Sequence, residues 1–398
     1  MLEAIKVRLK LKEDQITFFE QHAGASRWIY NQALDAQKQN YNKTGKFLSY
    51  VDLANILPLM KRDSETSWLN NMIASSLQQS LKNLDQAFKN FFNSKNGKRK
   101  GRVMRFPKFK SRKTCRASFT IVASRYGIEI KDNLLKIPKL GYVRVWSGTK
   151  VLNFREVIKR VTFSRDSDNH WYASILIDRE PKVYESTGVT QGLDLGIKTT
   201  AMFSCGIEAN IPDKVKKIEK KIKKLNRRLH RKVLGSKNRE KTRIKLAKTY
   251  FRIRMLRDNF FHQLSKEVAE GIDILTVETL NIQGMLKNRK LSKAISTQSW
   301  YKLVTFLKYK LEKSGKVFIQ VSKMFPSTKL CSSCGYENSN LTLADREWAC
   351  PSCGINHNRD VNAAKNLDNV SRWFKLTGEI ITTKAGYINS IVPALGTI

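Results

Sequence analysis

Two Cys-x-x-Cys pairs, Cys331-Ser-Ser-Cys334 and Cys350-Pro-Ser-Cys353, are separated by fifteen residues, and each is followed by glycine, Gly335 and Gly354. Four thiolates carried on two tight turns close a tetrahedron around one ion and leave no open position. The spacing therefore predicts one structural Zn²⁺ in a zinc ribbon, not a catalytic metal. Disulfides or unpaired core thiols are the alternative. The N-terminus Met-Leu-Glu-Ala-Ile-Lys lacks a signal-peptide core, which predicts a reducing compartment, where disulfides are rare. Cys115 and Cys205 stand apart and read as packing residues.

Three acids make a second set. Asp194 lies inside the apolar stretch Gly192-Leu-Asp-Leu-Gly-Ile197, Glu278 ends the apolar run 272–277, and Asp360 opens a helix carrying Asn362, Ala363, Ala364 and Asn366. Alone, Asp360 would be a favourable partner for a helix dipole. An acid within an apolar element is costly unless it is paired or bound to metal. Three of them in so basic a chain predict a divalent-cation site. Mg²⁺ takes carboxylate oxygens and keeps waters. Two such ions, about 4 Å apart, activate water and stabilise the leaving oxygen of a phosphodiester. The five histidines are scattered, and no Ser-His-Asp arrangement competes.

The elements that must position these residues follow from length, charge and periodicity. The chain of 398 residues allows two or three domains. Its 74 Lys and Arg against 34 Asp and Glu give a net charge of +40. That excess is spread along the whole length, which points to a long nucleic acid rather than a small anion. No run of 18 apolar residues suggests a membrane span. Residues 4–11 alternate apolar and basic, as a strand does. Residues 13–93 turn helical, with an apolar stripe of Leu77, Leu81, Leu84, Phe88 and Phe91 beside a polar stripe of Gln78, Lys82, Asp85 and Lys89. That polar stripe reads either as a solvated face or as a reader of base edges, where Gln can pair bidentately with adenine.

The stretch Arg105-Phe-Pro-Lys-Phe-Lys110 interleaves basic and aromatic residues, so Arg105, Lys108 and Lys110 are candidates for phosphates and the aromatics for stacked bases. A flexible basic linker is the alternative. Asp166-Ser-Asp-Asn169 predicts a hairpin turn within a strand-rich region 117–180. Eleven of the nineteen residues from Lys214 to Lys232 are Lys or Arg. That helix, with Lys217, Lys221 and Lys224, predicts backbone phosphate contact. Trp300, Leu303, Val304, Leu307 and Leu311 make a further amphipathic helix, and the last residues show no convincing periodicity.

At this point the motifs resemble the TnpB family, transposon-encoded RNA-guided DNA nucleases related to the type V CRISPR effectors. The matching pieces are Gly192-Leu-Asp-Leu-Gly-Ile-Lys198, Thr276-Val-Glu-Thr-Leu280, Phe325-Pro-Ser-Thr-Lys-Leu-Cys331, the ribbon, Asn358-Arg-Asp-Val-Asn-Ala-Ala364 and Arg105-Phe-Pro-Lys-Phe. The resemblance covers nearly the whole chain. It implies a multidomain α+β fold: a split β-barrel wedge domain (1–12 and 96–186) with an inserted helical recognition domain (13–95). An RNase H-like RuvC nuclease domain would follow (187–328 with a basic hairpin 213–270, then 356–375), interrupted by the zinc ribbon (329–355). A loosely ordered tail (376–398) would end the chain.

Asp194, Glu278 and Asp360 carry over as the catalytic, Mg²⁺-binding acids of a metal-dependent endodeoxyribonuclease, with two ions per site. Asn358 stands where an acid is common. The implied partners are a guide RNA from the element's own end and double-stranded target DNA, with no membrane and no obligatory oligomer. The implied setting is a prokaryotic cytoplasm, at the nucleoid. Base pairing would read the target and the protein a short flanking motif. Gln78, with Tyr50 and Thr120 by resemblance, is the candidate reader. The competing readings are a guide-dependent DNA-binding repressor, a transposase accessory protein without cleavage, and a strand-transferring transposase.

Overall fold

The computed structural model describes residues 2–99, 101–123, 127–146, 153, 156–342, 345–378 and 388–392. It divides into two compact units, Met1–Glu180 and Pro181–Ile398.

In the first unit, β1 (Leu2–Lys10) leads into α1 (Glu13–Thr44), α2 (Tyr50–Arg62) and α3 (Ala74–Lys95), and six strands follow: β2 (Ser118–Val122), β3 (Ile130–Lys131), β4 (Leu134–Ile137), β5 (Gly141–Trp146), β6 (Ile158–Arg165) and β7 (Trp171–Asp178). They form one sheet in the order β2-β6-β7-β1-β5-β4-β3. The first strand therefore lies mid-sheet, antiparallel to β7 and β5, although three helices separate it in sequence from both. The β6–β7 turn closes with Asn169 at φ 64°, a left-handed position that Asn tolerates better than most residues.

Helix α1 serves two cores. Near its start, Phe19 packs edge-on against Phe119, Phe163 and Trp171 of the sheet. Further along, Ile29 and Leu34 join Leu53, Leu57, Leu69, Leu77, Leu81 and Leu84 in a separate helical core.

The second unit is built on a six-stranded sheet, ordered β10-β9-β8-β11-β12-β15. Its strands are β8 (Thr190–Asp194), β9 (Ala201–Phe203), β10 (Glu208–Ala209), β11 (Ile274–Val277), β12 (Val317–Val321) and β15 (Ile388–Val392). β8, β11 and β12 run parallel, while β9, β10 and β15 pair antiparallel. Between the strands run α4 (Asp213–His230), α5 (Lys237–Gly271), the short α6 (Ile282–Met285) and α7 (Ser292–Gln298), and α8 (Trp300–Lys313). A small hairpin, β13 (Glu347–Ala349) with β14 (Asn356–Asn358), precedes α9 (Arg359–Thr377).

Parallel strands need cover on both faces, and the side-chain alternation supplies it. Leu193, Leu275, Val277 and Phe318 point to the core under α5 and α8. Ile274, Val317, Ile319 and Val321 point to the opposite face, where Leu367 and Val370 of α9 cover them.

The stretch 376–398, expected to be loosely ordered, requires a correction. Residues 388–392 add a strand to β12, whose outer edge would otherwise present unpaired backbone groups. Residues 379–387 and 393–398 lie outside those described. Among the described residues, no helix is long and apolar enough to cross a membrane.

Candidate nuclease centre and cysteine cluster

The acids are brought together by strand alternation and register. Thr276 pairs with Gly192 and Val277 with Leu193 in the parallel β8–β11 ladder, so one step further Glu278 comes opposite Asp194. Both fall on the face covered by α9. That helix lies so close that a Cβ on Gly192 would sit 2.0 Å from the Ala364 carbonyl oxygen and 2.4 Å from the Asp368 nitrogen. Gly192 is thus a contact point between strand and helix backbone. Hydroxyls hold the same seam, with Ser371 Oγ 2.7 Å from Thr276 Oγ1 and donating to the Gln191 carbonyl at 3.2 Å. The helix then presents Asp360 in its first turn, with Asn358 as N-cap accepting from the Val361 N–H at 3.2 Å.

Asp194 and Glu278 are half-buried at the strand ends and hydrogen-bonded to each other. Burial, then the charge of Asp360, pushes Asp194 up to about 7, against the pull of the Arg359 guanidinium. Burial, then the charge of Asp194, pushes Glu278 up to about 8. The pair holds a shared proton near neutral pH because neither carboxylate is solvated enough to stay charged beside the other. Asp360 is drawn toward cations. Arg346 Nη1 lies 3.3 Å from both its oxygens and Arg359 Nε 3.7 Å from one. Arg359 itself is buried and donates to the Asp345 carbonyl at 3.1 Å.

The cysteines form a tighter group. Their sulfurs all lie within 4.8 Å of one another, the only group of three or more such ligands to do so among the described residues. The three acids are not drawn that close. Cys331 and Cys353 sulfurs are 3.7 Å apart, Cys334 and Cys350 3.6 Å. A tetrahedron with metal–sulfur bonds of ~2.3 Å has edges of about 3.8 Å, so the donor set fits one zinc ion.

Each knuckle is built alike. The Gly335 N–H donates to the Cys331 carbonyl at 2.9 Å and the Gly354 N–H to the Cys350 carbonyl at 2.8 Å. These glycines have φ of 77° and 72°, the left-handed region that a side chain would disfavour. Burial raises the Cys350 thiol, but the N–H groups of Cys353 and Ser352 outweigh it and hold it at about 7. His357 Nε2 lies 3.0 Å from the Cys331 sulfur.

Two side chains absent from the sequence-based candidates join the centres. Asn362 donates to the Leu330 carbonyl at 2.6 Å and accepts from the Ser332 N–H at 2.9 Å. Asn366 donates to the Ser327 and Leu330 carbonyls at 2.8 and 2.7 Å. The first knuckle is thereby fastened to the helix that carries Asp360. The only sequence signal was their i, i+4 spacing on one polar helix face.

The candidate nucleic-acid residues divide. Lys217, Lys221 and Lys224 are exposed along one stripe of α4 while Val215, Ile222 and Leu225 pack toward α5. On another face of α4, a groove of about 970 Å³ between α4, α5 and α7 is lined by Lys223, Arg227, Arg231 and Lys293. Arg105 and Lys108 are exposed. Lys110 is not free: its Nζ sits 3.5 Å from the Tyr30 ring centroid, and Asn31 clamps its backbone from both sides. Phe106 packs edge-on between Phe88 and Phe91, and Phe109 carries Lys38 on its face. These contacts anchor the basic stretch to the helices, while Phe106 keeps 38% and Phe109 49% of its surface exposed.

Gln78 is half-buried on α3. Lys82, one turn on, lies 5.4 Å over the Tyr50 ring, and Ser75, one turn back, accepts from the Val122 N–H at 3.4 Å. Thr120 sits on the same strand, 3.0 Å from Thr162 through their hydroxyls. Cys205 is exposed in a turn, not packed, since the β9–β10 turn leaves it outside the core.

Comparison with known proteins matches this architecture. Residues 174–289 fit the family described as "Probable transposase", 300–367 the "Cas12f1-like, TNB domain" and 1–46 a "Helix-turn-helix domain"; in this chain 1–46 holds one strand and one long helix. A cryo-EM structure of a Cas12f1–sgRNA–target DNA complex aligns with a TM-score of 0.53 at 14% identity, covering 93% of this chain and 99% of that one. The class is therefore a Cas12f-like fold: mixed α/β, with a curled sheet and a four-cysteine cluster.

A Streptomyces pristinaespiralis protein, provisionally named an RNA-guided DNA endonuclease, is 31% identical over 364 residues, 92% of this chain and 88% of that protein. InsQ of Escherichia coli K12, with the same provisional name, is 29% identical over 401 residues, 96% and 95% of the two chains. The chain belongs to the TnpB family.

Proposed function

We propose that this protein is a transposon-associated RNA-guided DNA endonuclease. In this reading it cuts double-stranded DNA beside a short motif at one centre made by Asp194, Glu278 and Asp360. The observation that carries the reading is the β8–β11 register, which sets two carboxyls into one hydrogen bond under the helix end bearing the third. The order β10-β9-β8-β11-β12, an antiparallel trio continued by two parallel strands, suits an RNase H-like RuvC domain. The central place of β1 suits a wedge domain with the helices inserted.

The donor set fits hard divalent cations. A carboxyl pair that holds a proton because burial and the neighbouring charge disfavour two carboxylates is one where a cation takes the proton's place. Mg²⁺ bound there would supply Lewis-acid activation of water for phosphodiester hydrolysis. The chain's own residues do the rest. Asp194 and Glu278 offer carboxylate oxygens from neighbouring parallel strands, α9 holds Asp360 in line, and Arg359 tempers the repulsion among the acids. The cysteine cluster takes one zinc and fixes the start of α9 through Asn362 and Asn366.

The guide RNA and the RNA–DNA heteroduplex are bound by Arg105, Lys108 and the Lys217–Lys221–Lys224 stripe. Lys110 contributes by bracing the loop that carries the first two. Gln78, with Tyr50 and Thr120, reads the flanking duplex. No second protein subunit is required.

The test begins with RNA copurified with the protein. Its sequence specifies a plasmid carrying the matching target beside a randomised flank. With Mg²⁺, cleavage confined to a subset of flanks is expected, and Gln78→Ala shifts the preference at one or two positions. Tight guide-dependent binding without cleavage of any member would replace this reading with that of a repressor.

A further inference from the structure

The first unit contains a groove that none of the roles above uses. It has a volume of about 520 Å³ and runs between α1 and the short turn 67–71, lined by Gln21, Arg27, Trp28, Trp68, Asn71 and Met72. Its two indoles meet edge to face, with centroids 5.5 Å apart. Trp68 keeps 39% of its surface exposed.

Three features set it apart from an ordinary surface crevice. First, Gln21, Arg27 and Asn71 have no hydrogen bond or ion pair from their side chains among the described residues, and neither do the two indole N–H groups. Nearby amides are engaged by contrast: Asn31 clamps Lys110, and Asn70 donates to the Lys61 carbonyl at 2.8 Å. Second, Gly24 on the groove wall lies inside α1, where glycine weakens a helix. A Cβ there would meet nothing within 4 Å, so packing does not require it and the space is left open. Third, an arginine without a partner lines the same groove as two indoles, and a guanidinium with an aromatic ring is the combination that grips a phosphate next to a stacked base.

We infer that this groove binds an unpaired nucleotide, its base against Trp68 and Trp28, its phosphate on Arg27, and its base edge within reach of Gln21 and Asn71. The site rests on the proposed function only in that such a complex supplies two unpaired sources, a guide-RNA loop and the displaced DNA strand. An apolar ligand would leave the guanidinium and both amides without partners. A paired base has its edge occupied and its faces covered.

The experiment uses the full chain loaded with its copurified guide RNA. One arm carries 4-thiouridine in the RNA, the other 4-thiothymidine in the non-target DNA strand, and irradiation is followed by peptide mapping. Cross-links to peptides within 21–31 or 66–72 are expected in one arm, and that arm identifies the source. Affinity for that nucleic acid should fall roughly 5- to 100-fold in Trp68→Ala, as expected for one stacked base. Trp68→Tyr, which keeps a ring, should stay within about threefold of wild type. Gly24→Leu should fill the groove and weaken binding while leaving α1 at least as stable to heat, which separates loss of the site from loss of the fold.

Absence of cross-links in both arms, or Trp68→Ala, Trp68→Tyr and Gly24→Leu all binding like wild type, overturns the inference. Equal losses in Trp68→Ala and Trp68→Tyr overturn stacking. Wild-type protein that binds no RNA at all would count instead against the proposed function.

Discussion

The second unit carries two ligand clusters of opposite construction. The cysteines come from 23 consecutive positions, on two knuckles whose backbone bonds are local. The acids come from positions 194, 278 and 360, on two strands and a helix that meet only when the sheet is complete. The first cluster is nearly formed by its own turns. The second is a product of packing, and two of its members meet in one hydrogen bond despite their repulsion. Helix α9 touches both, through Asn362 and Asn366 at the knuckle and Asp360 at the acids.

The most severe way to break this comparison is to remove a thiolate. Zinc binding contributes on the order of 10 kcal/mol to small zinc domains. Cys350→Ser should therefore lose one zinc per chain by elemental analysis and open the ribbon to limited proteolysis. Cleavage should fall as well, because the anchor of α9 goes with it. Well-folded wild-type protein lacking zinc would refute the assignment.

Asp194→Ala, Glu278→Gln or Asp360→Ala should each lower cleavage by about a thousandfold or more, the several kcal/mol expected of a cation site acting as a unit. Guide-RNA affinity should stay unchanged, and zinc content too, since the cysteine cluster is built without them. A variant that cuts at the wild-type rate removes its residue from the centre.

Gly192→Ala tests packing without touching any ligand. The added Cβ would collide with the α9 backbone. Overpacking costs about 1–3 kcal/mol, and displacement of Asp194 relative to Asp360 by about 1 Å should cost about a hundredfold in rate. Zinc content should again hold. A stable, fully active Gly192→Ala protein would show that strand and helix do not meet as described.

Asn362→Ala should be milder. It leaves the Ser332 N–H without its partner and the Leu330 carbonyl with Asn366 alone, at about 1–3 kcal/mol. Hydrogen exchange should rise in 327–334 and in the first turn of α9 together. A rise in only one of them would deny the coupling.

A last test is of pH dependence. In protein free of divalent cations, Asp194 and Glu278 have folded-state values raised to about 7 and 8, above the unfolded carboxylate range near 4. The folded state then binds more protons between those limits, so stability falls as pH rises from about 4 through 8. The melting temperature should drop across that window by about 2–4 °C for each kcal/mol lost. Asp194→Asn should flatten the slope, and Mg²⁺ should raise the melting temperature more at pH 8 than at pH 6. Identical slopes in wild type and Asp194→Asn would mean that the pair is not coupled as described.

What the sequence determined is what nearest neighbours decide. The Cys-x-x-Cys-Gly knuckles, the apolar stripe of α3 from Leu77 to Phe88, the Asp166–Asn169 turn and the charged face of α4 all follow from spacing, backbone preference and periodicity within a few residues. Tertiary structure decided what depends on distant partners. Lys110 looks free for phosphates in sequence, yet the Tyr30 ring and Asn31 engage it. Residues 388–392 carry no clear signal and become a strand because β12 has an edge to fill. The polar residues Asn362 and Asn366 acquire a purpose only when the knuckle lies against them. Asp194 and Glu278 are two isolated acids until register places them in one hydrogen bond. Burial and mutual repulsion, which set their chemistry, are properties of that neighbourhood and of no single segment.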